Sequence, residues 1–409
     1  MIQDTESFIQ NFPTELLLYI FKTLLPKNLA ICRQVCLRWK NIIDSLFSCG
    51  SLWRKQCIIE YPDIYEQTYY KRKPGLVWAH IYRSLTLWSK LHLAIETRDE
   101  FASASRPRDE VRNFQVLQNG LIGVHTRGGI YYYDLATLKL SPRNSVVGDY
   151  LRYMENAENI IILGFNLSLM VIKKIIRSQQ DDDMTFQHVK LFILGDDKLF
   201  FVTLNDEVYM CSLSSPRLET VLLRRMDFSV MSLGYSNNNL NILTFQRDIF
   251  CIENHNLVYK CTLDSSCNLL HELNKFNFLE NLDWRVYFQW MYVLNHSVPQ
   301  GPLRDIIIVK TYGKITFVGS NWGVLRIYYN SYLNEEFDIF NTEPIKQYNF
   351  MERCDCPVLS MCPIIQIDVV EGEDSHKVIV AMPKKIALLT FTHEITPTSY
   401  PQDISYIKQ

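Results

Sequence analysis

The spacing of apolar residues changes near residue 110, and this change constrains the fold of the 409-residue chain more than any other feature. Before residue 110, apolar side chains recur every three or four residues, which is the period of an amphipathic helix. After it they alternate, which is the period of a half-buried strand. We therefore predict an α+β multidomain chain, with a small helical N-terminal domain followed by a large all-β domain.

The apolar pattern of the N-terminal segment predicts three short helices. The apolar residues that share one face of the first helix are Leu16, Leu17, Ile20, Phe21 and Leu24. Pro13 suits the first helical turn, and Pro26 ends the helix because it cannot continue the hydrogen-bond ladder. A second helix is predicted to begin near Asn28, and a third unit covers residues 46–53. Three short helices bury only a small core, so the rest of the apolar face is expected to bind a partner.

Groups of three or four short strands, joined by tight turns, follow one another after residue 110. The predicted third strands of these groups begin at Ile130, Val208, Ile249, Val324 and Ile386. A hairpin over Ile160–Ile172 and a further unit around Leu257–Tyr292 fill the two longest gaps. Repeated antiparallel units of about 40–45 residues are typical of a β-propeller, here with six or seven blades and seven preferred. A pair of β-sandwiches is the alternative architecture.

Composition and motifs exclude several functional classes. The 42 basic and 44 acidic residues nearly cancel, which disfavours a basic nucleic-acid binder. The sequence contains neither a Gly-x-x-x-x-Gly-Lys phosphate loop nor a Gly-x-Ser-x-Gly elbow, so we predict no catalytic residues and no cofactor. The longest apolar stretch, Ile160 to Ile172, is interrupted by polar residues and is shorter than the roughly 20 residues of a membrane helix. We therefore expect no membrane partner.

The eleven cysteines are predicted to be reduced thiols. The N-terminus lacks the basic start and the apolar run of a secretory signal, which predicts a cytoplasmic or nuclear protein or one present in both compartments. Two groups of potential metal ligands are Cys354, Cys356 and Cys362, and Cys251, His255 and Cys261. Neither group has the spacing of a paired zinc site, so we predict no metal.

The motifs of the helical segment occur in a recognisable order. They are Phe12-Pro13, Glu15-Leu16, Ile20-Phe21, Val35-Cys36 followed by Trp39, and Leu52-Trp53. At this spacing, residues 8–56 resemble an F-box, whose pattern is Leu-Pro, Glu-aliphatic, Ile-Phe, Val-Cys with a following Trp, and a closing Leu-Trp. Phe12 replaces the usual Leu, and Lys27-Asn28 replaces the acidic residue that commonly precedes the second helix. The β region contains no Trp-Asp or Gly-His dipeptide, so its resemblance to WD repeats is weaker.

The F-box resemblance implies docking to a Skp adaptor and, through it, to a cullin. It implies that the protein is the substrate-recognition subunit of a Skp–cullin–F-box (SCF) ubiquitin ligase. The adaptor-binding residues that it implies are Pro13, Leu16, Leu17, Ile20, Leu24, Leu29, Val35, Cys36 and Trp39. We predict three regions: an F-box domain at 8–56, a helical linker at 57–104 and a propeller-like substrate-binding domain at 105–409. The alternatives are an F-box scaffold outside the ligase and a propeller enzyme.

The sequence does not indicate which substrate protein is bound. Arg127, Arg247 and Arg326 lie near predicted turns and are candidates for a phosphopeptide pocket, because a guanidinium matches the geometry of a phosphate. The run Asp181-Asp182-Asp183 is predicted to be a solvated loop.

Overall fold

The computed structural model describes residues 12–394 except for 63, 73–74, 175–183, 196, 215–218, 237, 254–255, 265–271, 274, 279–305, 330–341 and 351–361. The chain divides into two compact units. The first comprises Met1–Thr97, Val370–Lys377 and Thr390–Gln409, and the second comprises Arg98–Val369 and Val378–Leu389.

The first unit begins with short helices. They are α1 (Thr14–Thr23), α2 (Pro26–Cys32), α3 (Leu37–Ser48), α4 (Gly50–Glu60), α5 (Tyr65–Lys71), α6 (Trp78–Leu87) and a 3-10 helix (Trp88–Leu93). Pro26 occupies the first turn of α2, where its missing N–H costs nothing, so this helix begins two residues before the predicted Asn28. The predicted third unit at 46–53 spans the end of α3 and the start of α4.

Helices α1, α2 and α3 share one small hydrophobic core. Its buried members are Leu17, Phe21, Leu29, Ile42, Ile43 and Leu46. Trp39 of α3 meets Phe21 edge to face, with 5.1 Å between the ring centroids. Trp53 of α4 donates its indole N–H to the carbonyl of Phe47 at 2.7 Å, and its ring centroid lies 5.4 Å from that of Tyr82 in α6. The aromatic residues therefore connect this core to the later helices.

The first unit also contains a fully buried carboxylate, Glu371. Its Oε1 accepts a hydrogen bond from Trp88 Nε1 at 2.7 Å, and its Oε2 accepts bonds from His376 Nδ1 at 2.7 Å and from Ser84 Oγ. Trp88 stacks on His376 with 4.0 Å between the centroids. Burial alone would raise the pKa of Glu371, but His376 and the three hydrogen bonds hold it below its usual value. The cluster attaches α6 and the 3-10 helix to residues 371–376.

The remaining described chain is dominated by four-stranded sheets, whose described pairings are antiparallel. The strands are β1 (Ile95–Phe101), β2 (Val111–Val116), β3 (Leu121–Thr126), β4 (Gly129–Asp134), β5 (Val146–Val147), β6 (Arg152–Glu155), β7 (Asn159–Leu163), β8 (Leu169–Lys173), β9 (Met184–Phe186), β10 (Val189–Leu194), β11 (Lys198–Thr203), β12 (Glu207–Ser212), β13 (Thr220–Arg225), β14 (Val230–Ser236), β15 (Asn239–Thr244), β16 (Asp248–Glu253), β17 (Asn256–Thr262), β18 (Ile306–Tyr312), β19 (Ile315–Ser320), β20 (Val324–Tyr329), β21 (Lys346–Asn349), β22 (Gln366–Glu371), β23 (Ser375–Met382) and β24 (Lys385–Thr392). Five sheets consist of consecutive strands, β2–β5, β6–β9, β10–β13, β14–β17 and β18–β21, and the sixth has the order β1-β24-β23-β22.

The predicted strand groups are confirmed at their third strands. The residues Ile130, Val208, Ile249, Val324 and Ile386 lie in β4, β12, β16, β20 and β24. The predicted hairpin over Ile160–Ile172 is the β7–β8 pair. Leu257, predicted to begin a further unit, belongs to the outer strand β17, and residues 279–292 of that unit lie outside the described chain. Six sheets are present among the described residues, and the blade number of the whole chain stays a prediction.

Consecutive sheets of the second unit pack through their buried alternating residues. Ile161 and Val171 of the second sheet, for example, share a cluster with Phe192 and Leu199 of the third. The last sheet is bonded to the first, because the side-chain amide of Gln366 makes two 2.8 Å hydrogen bonds to the backbone N–H and carbonyl of Phe114. Sequential four-stranded sheets whose last member joins the first are typical of a β-propeller.

Acid is expected to destabilise the second unit through His125. This side chain is fully buried on β3, and burial, reinforced by the nearby charge of Arg112, lowers its pKa to about 4. Between pH 6.5 and 4 the unfolded chain, whose His pKa is about 6.5, therefore binds more protons than the folded chain. The stabilisation present above pH 6.5 is lost as the pH falls towards 4. His125→Phe should reduce the pH dependence of the urea midpoint between pH 7 and 5. His92→Phe, at an exposed position, is the control and should leave it unchanged.

Candidate adaptor interface

Helix α1 has one buried and one exposed apolar face. Leu17 and Phe21 are each 1% exposed and point into the core, whereas Leu16, Tyr19 and Ile20 are 50%, 73% and 39% exposed. Residues three and four positions apart lie on the same side of a helix, so the three exposed side chains form one surface. The helix therefore presents apolar area that its own small domain does not cover.

A second exposed apolar group lies where α2 ends and α3 begins. Ile31, Val35 and Leu37 are all exposed. Between them, Cys36 caps α3, because its Sγ accepts a hydrogen bond from the backbone N–H of Trp39 at 3.5 Å. The Cys36 thiol is therefore half-buried and serves as a helix cap.

The structure places the predicted adaptor-binding residues in three environments. Pro13, Leu16, Ile20 and Val35 are exposed, Leu24, Cys36 and Trp39 are half-buried, and Leu17 and Leu29 are buried in the core. Exposed Tyr19, Ile31 and Leu37 were not predicted. The helical spacing from Leu16 could have indicated Tyr19, whereas Ile31 and Leu37 depend on helix ends that the sequence did not show.

Polar contacts fix the relative positions of the first three helices. Arg38 at the start of α3 donates to the carbonyl of Phe12 at 2.7 Å and to Thr14 Oγ1 at 3.2 Å, next to the start of α1. Arg33, which follows α2, forms an ion pair with Asp44 of α3 at 2.5 Å. These contacts hold the two exposed apolar groups on one small scaffold.

The described residues contain no group of three or more His, Cys, Asp or Glu side chains arranged to hold a metal ion. Cys251 is buried on β16, where burial raises the pKa of its thiol to about 11, and Cys362 is also buried. His255, Cys354 and Cys356 lie outside the described residues, as does the Asp181–Asp183 run. In the described part of the chain, no helix has both the length and the apolar character needed to cross a bilayer.

The three arginines proposed from the sequence do not share one environment. Arg127 is exposed in the β3–β4 turn, and Arg247 lies in the β15–β16 turn with a φ of 73°. Arg326 is buried within β20, where its Nε donates to Gln347 Oε1 at 3.0 Å. Arg326 thus lies near the β19–β20 turn, as expected, but its burial within β20 removes it from a loop-based pocket.

Residues 9–59 match the sequence model of the family described as F-box-like. The match covers the helices that carry both exposed apolar groups. The chain thus has an N-terminal F-box-like region followed by a large all-β domain, an arrangement typical of non-catalytic interaction proteins.

Comparison of the whole sequence with curated proteins gives no match. Similar solved structures include the N-terminal domain of Nup159, which is 10% identical. The match covers 69% of this chain and 76% of that chain, with a TM-score of 0.36. They also include the β-propeller domain of Cps50 (Swd1) from Myceliophteria thermophila, with 5% identity, 73% of this chain, 100% of that chain and a TM-score of 0.36. The AfRom2 CNH domain has 8% identity over 73% of this chain and 100% of that chain, with a TM-score of 0.38. All three TM-scores are below 0.5, so the fold of this chain rests on its own sheet order.

Proposed function

We propose that this protein is the substrate-recognition subunit of a Skp–cullin–F-box ubiquitin ligase. The observation that carries the proposal is the F-box-like match over residues 9–59, which coincides with uncovered apolar side chains on α1 and at the α2–α3 junction. In this function the F-box region binds the adaptor, and the β domain binds the protein to be ubiquitylated. The subunit itself catalyses nothing, and it acts by raising the effective concentration of the target near the ubiquitin-conjugating enzyme.

The exposed apolar residues give the proposed interface its binding energy. Fully burying one side chain of the size of Leu or Ile contributes about 1.5–3 kcal/mol. Leu16, Ile20 and Val35 are exposed and contact the adaptor directly in this proposal, together with Pro13. The half-buried residues Leu24, Cys36 and Trp39 line the same surface, and the buried residues Leu17 and Leu29 support it from the core.

The proposal divides the work along the chain. Residues 8–56 dock to the adaptor, residues 57–104 connect the docking and binding regions, and residues 105–409 bind the substrate protein. Such a subunit acts in the cytoplasm, in the nucleus or in both.

Reconstitution tests this function directly. The full chain, co-expressed with a Skp-type adaptor, should elute from a size-exclusion column as a stable complex with it, and adding the adaptor should allow the chain to retain a cullin. Failure to bind the adaptor would overturn the proposal. A complex that binds the adaptor but never retains a cullin would favour the alternative of an F-box scaffold outside the ligase.

A further inference from the structure

The turns between the second and third strands of three sheets repeat one local structure. In each, a Thr or Ser at the end of the second strand accepts a hydrogen bond from the backbone N–H four residues later. These hydroxyl groups belong to Thr203, Thr244 and Ser320, with donor–acceptor distances of 3.3, 3.1 and 2.9 Å. The residue just before that N–H donor has a positive φ in all three turns, at Asp206, Arg247 and Gly323. The repeat makes these turns equivalent positions of successive sheets.

Large apolar side chains stand exposed on these turns. Leu204, Phe245 and Trp322 are 52%, 55% and 46% exposed, and Phe165 in the corresponding β7–β8 turn is 58% exposed. An isolated exposed apolar residue needs no explanation, but one on the same turn of four of the described sheets is a pattern. The described turns between first and second strands carry no large exposed apolar side chain. We call Phe165, Leu204, Phe245 and Trp322 the turn surface.

The turn surface lies along one edge of the second unit. Within a sheet, Leu204 N donates to the carbonyl of His188, which immediately precedes the first strand β10, at 2.8 Å. Between sheets, the carbonyl of Leu167 accepts from Val189 N at 2.9 Å, and Asp206 Oδ1 accepts from Val230 N at 2.8 Å. Each turn therefore lies where the first strands of its own and of the next sheet begin, so the turns of successive sheets share an edge.

The same edge becomes basic at the first sheet. The equivalent β3–β4 turn carries Arg127, whose side chain is 53% exposed and whose Nε lies 3.1 Å from Glu110 Oε2. Lys384, in the β23–β24 turn, lies 3.2 Å from Glu110 Oε1, so one carboxylate faces two cations. Arg108 is exposed and lies beside the same turn, since its carbonyl oxygen is 3.2 Å from the position that a Cβ on Gly128 would occupy. The local charge is therefore net positive.

We propose that the turn surface binds an acidic polypeptide segment that carries spaced apolar side chains. The apolar turns would bury the segment's Leu, Phe or Trp residues, and the cations of the first sheet would attract its Asp and Glu residues. Arg127 and Lys384 each pair with one oxygen of Glu110, so this end of the edge already accommodates a carboxylate. The inference rests on the proposed function, since it names the class of segment by which the substrate protein is recognised.

A peptide selection tests the proposal without the adaptor. A phage library of random 16-residue peptides is selected on the immobilised full-length chain, and enriched peptides are synthesised for fluorescence polarisation. The enriched sequences should combine Asp or Glu with Leu, Phe or Trp. A variant with Leu204→Ser, Phe245→Ser and Trp322→Ser should bind them at least tenfold more weakly. The matched control replaces three exposed apolar residues away from these turns in the same unit, Leu140→Ser, Val221→Ser and Tyr259→Ser, and should bind like wild type.

Charge reversal tests the basic end of the edge. Arg108→Glu with Arg127→Glu should weaken the enriched peptides at least fivefold and flatten their dependence on NaCl concentration, because fewer charge pairs remain to be screened. Lys139→Glu, at an exposed position beyond the opposite end of β4 from Arg127, is the control. If the triple turn variant does not fold, Phe245→Ser alone is used, with an expected loss of at least threefold.

Three results would overturn the proposal: no enriched peptide, enriched peptides that are basic or lack apolar residues, or equal binding by the wild type and the turn variant. The outcome is independent of adaptor docking, since no adaptor is present in the selection. Failure here with intact adaptor binding would therefore leave the proposed function standing, and loss of adaptor binding would leave this result unchanged.

Discussion

The Ile20→Asp variant is expected to bind a Skp-type adaptor at least a hundredfold more weakly than the wild type. Ile20 is 39% exposed on the face of α1 that it shares with Leu16, away from the helical core. Binding should bury this exposed 39%, so the variant loses about 1 kcal/mol of apolar burial and must also desolvate an unpaired carboxylate, which costs about 2 kcal/mol or more. Because each 1.4 kcal/mol changes the affinity tenfold, the two effects together exceed a hundredfold. Calorimetric titration of the purified chains, or co-purification, measures the loss.

A matched variant separates the interface from general effects of the substitution. Ile59→Asp introduces the same charge at an exposed helical position of α4 that does not belong to the proposed interface, and it should bind the adaptor like wild type. Both variants should melt within a few degrees of the wild type, because neither side chain is buried. Wild-type adaptor binding by Ile20→Asp would contradict the assignment of this face.

The local elements of the β domain could be predicted because their apolar residues alternate. The third strands predicted to begin at Val208 and Val324 are β12 and β20, which begin within one residue of those positions. A strand that is buried on one or both faces leaves its period in the sequence, and the turns between such strands set their limits. Each strand could therefore be predicted from its own short segment, and so could the order of the strands along the chain.

Strand β1 could not be predicted in this way. Most of its residues, Ile95–Phe101, are exposed, so the segment lacks an apolar period. It forms a strand because it lies beside β24 at the outer edge of the last sheet. Pairing between segments nearly 300 residues apart depends on closure of the whole domain, which no short window of sequence records.

The sequence did not show which apolar side chains point to solvent on α1 and in the β turns. The sequence groups Leu16, Leu17, Ile20 and Phe21 on one face of α1, but neighbouring residues differ by about 100° in direction, and the core takes only Leu17 and Phe21. In the β domain, Leu204 and Phe245 continue the apolar sequence pattern of β11 and β15. The strands end one residue earlier, because the hydroxyls of Thr203 and Thr244 bond into the turns. An apolar residue in a turn therefore looks, in sequence, like the end of a strand.

The Glu371→Ala substitution should be the most destabilising change considered in the helical unit. Glu371 is buried and accepts hydrogen bonds from Trp88, His376 and Ser84. Removing the carboxylate leaves three buried donors without their acceptor, and each unsatisfied buried group typically costs about 1–3 kcal/mol. Urea unfolding at pH 7 should show this loss for Glu371→Ala and a smaller one for Glu371→Gln, which keeps the shape and one acceptor. Glu373→Ala, whose side chain is 65% exposed and 3.5 Å from His80, should stay within about 0.5 kcal/mol of wild type.

The pH dependence of the same variants distinguishes a charged Glu371 from a merely well-packed one. The surroundings hold the pKa of the folded Glu371 carboxyl below that of the unfolded chain, about 4.3. Its stabilising contribution is therefore complete above that pH and is lost as the pH falls through the lower folded pKa. The difference in free energy of unfolding between wild type and Glu371→Gln should therefore shrink as the pH falls below about 4. Glutamine does not titrate, so any change of this free-energy difference with pH comes from the carboxylate of the wild type. A difference that persists unchanged in acid would mean that Glu371 stabilises this unit by packing alone.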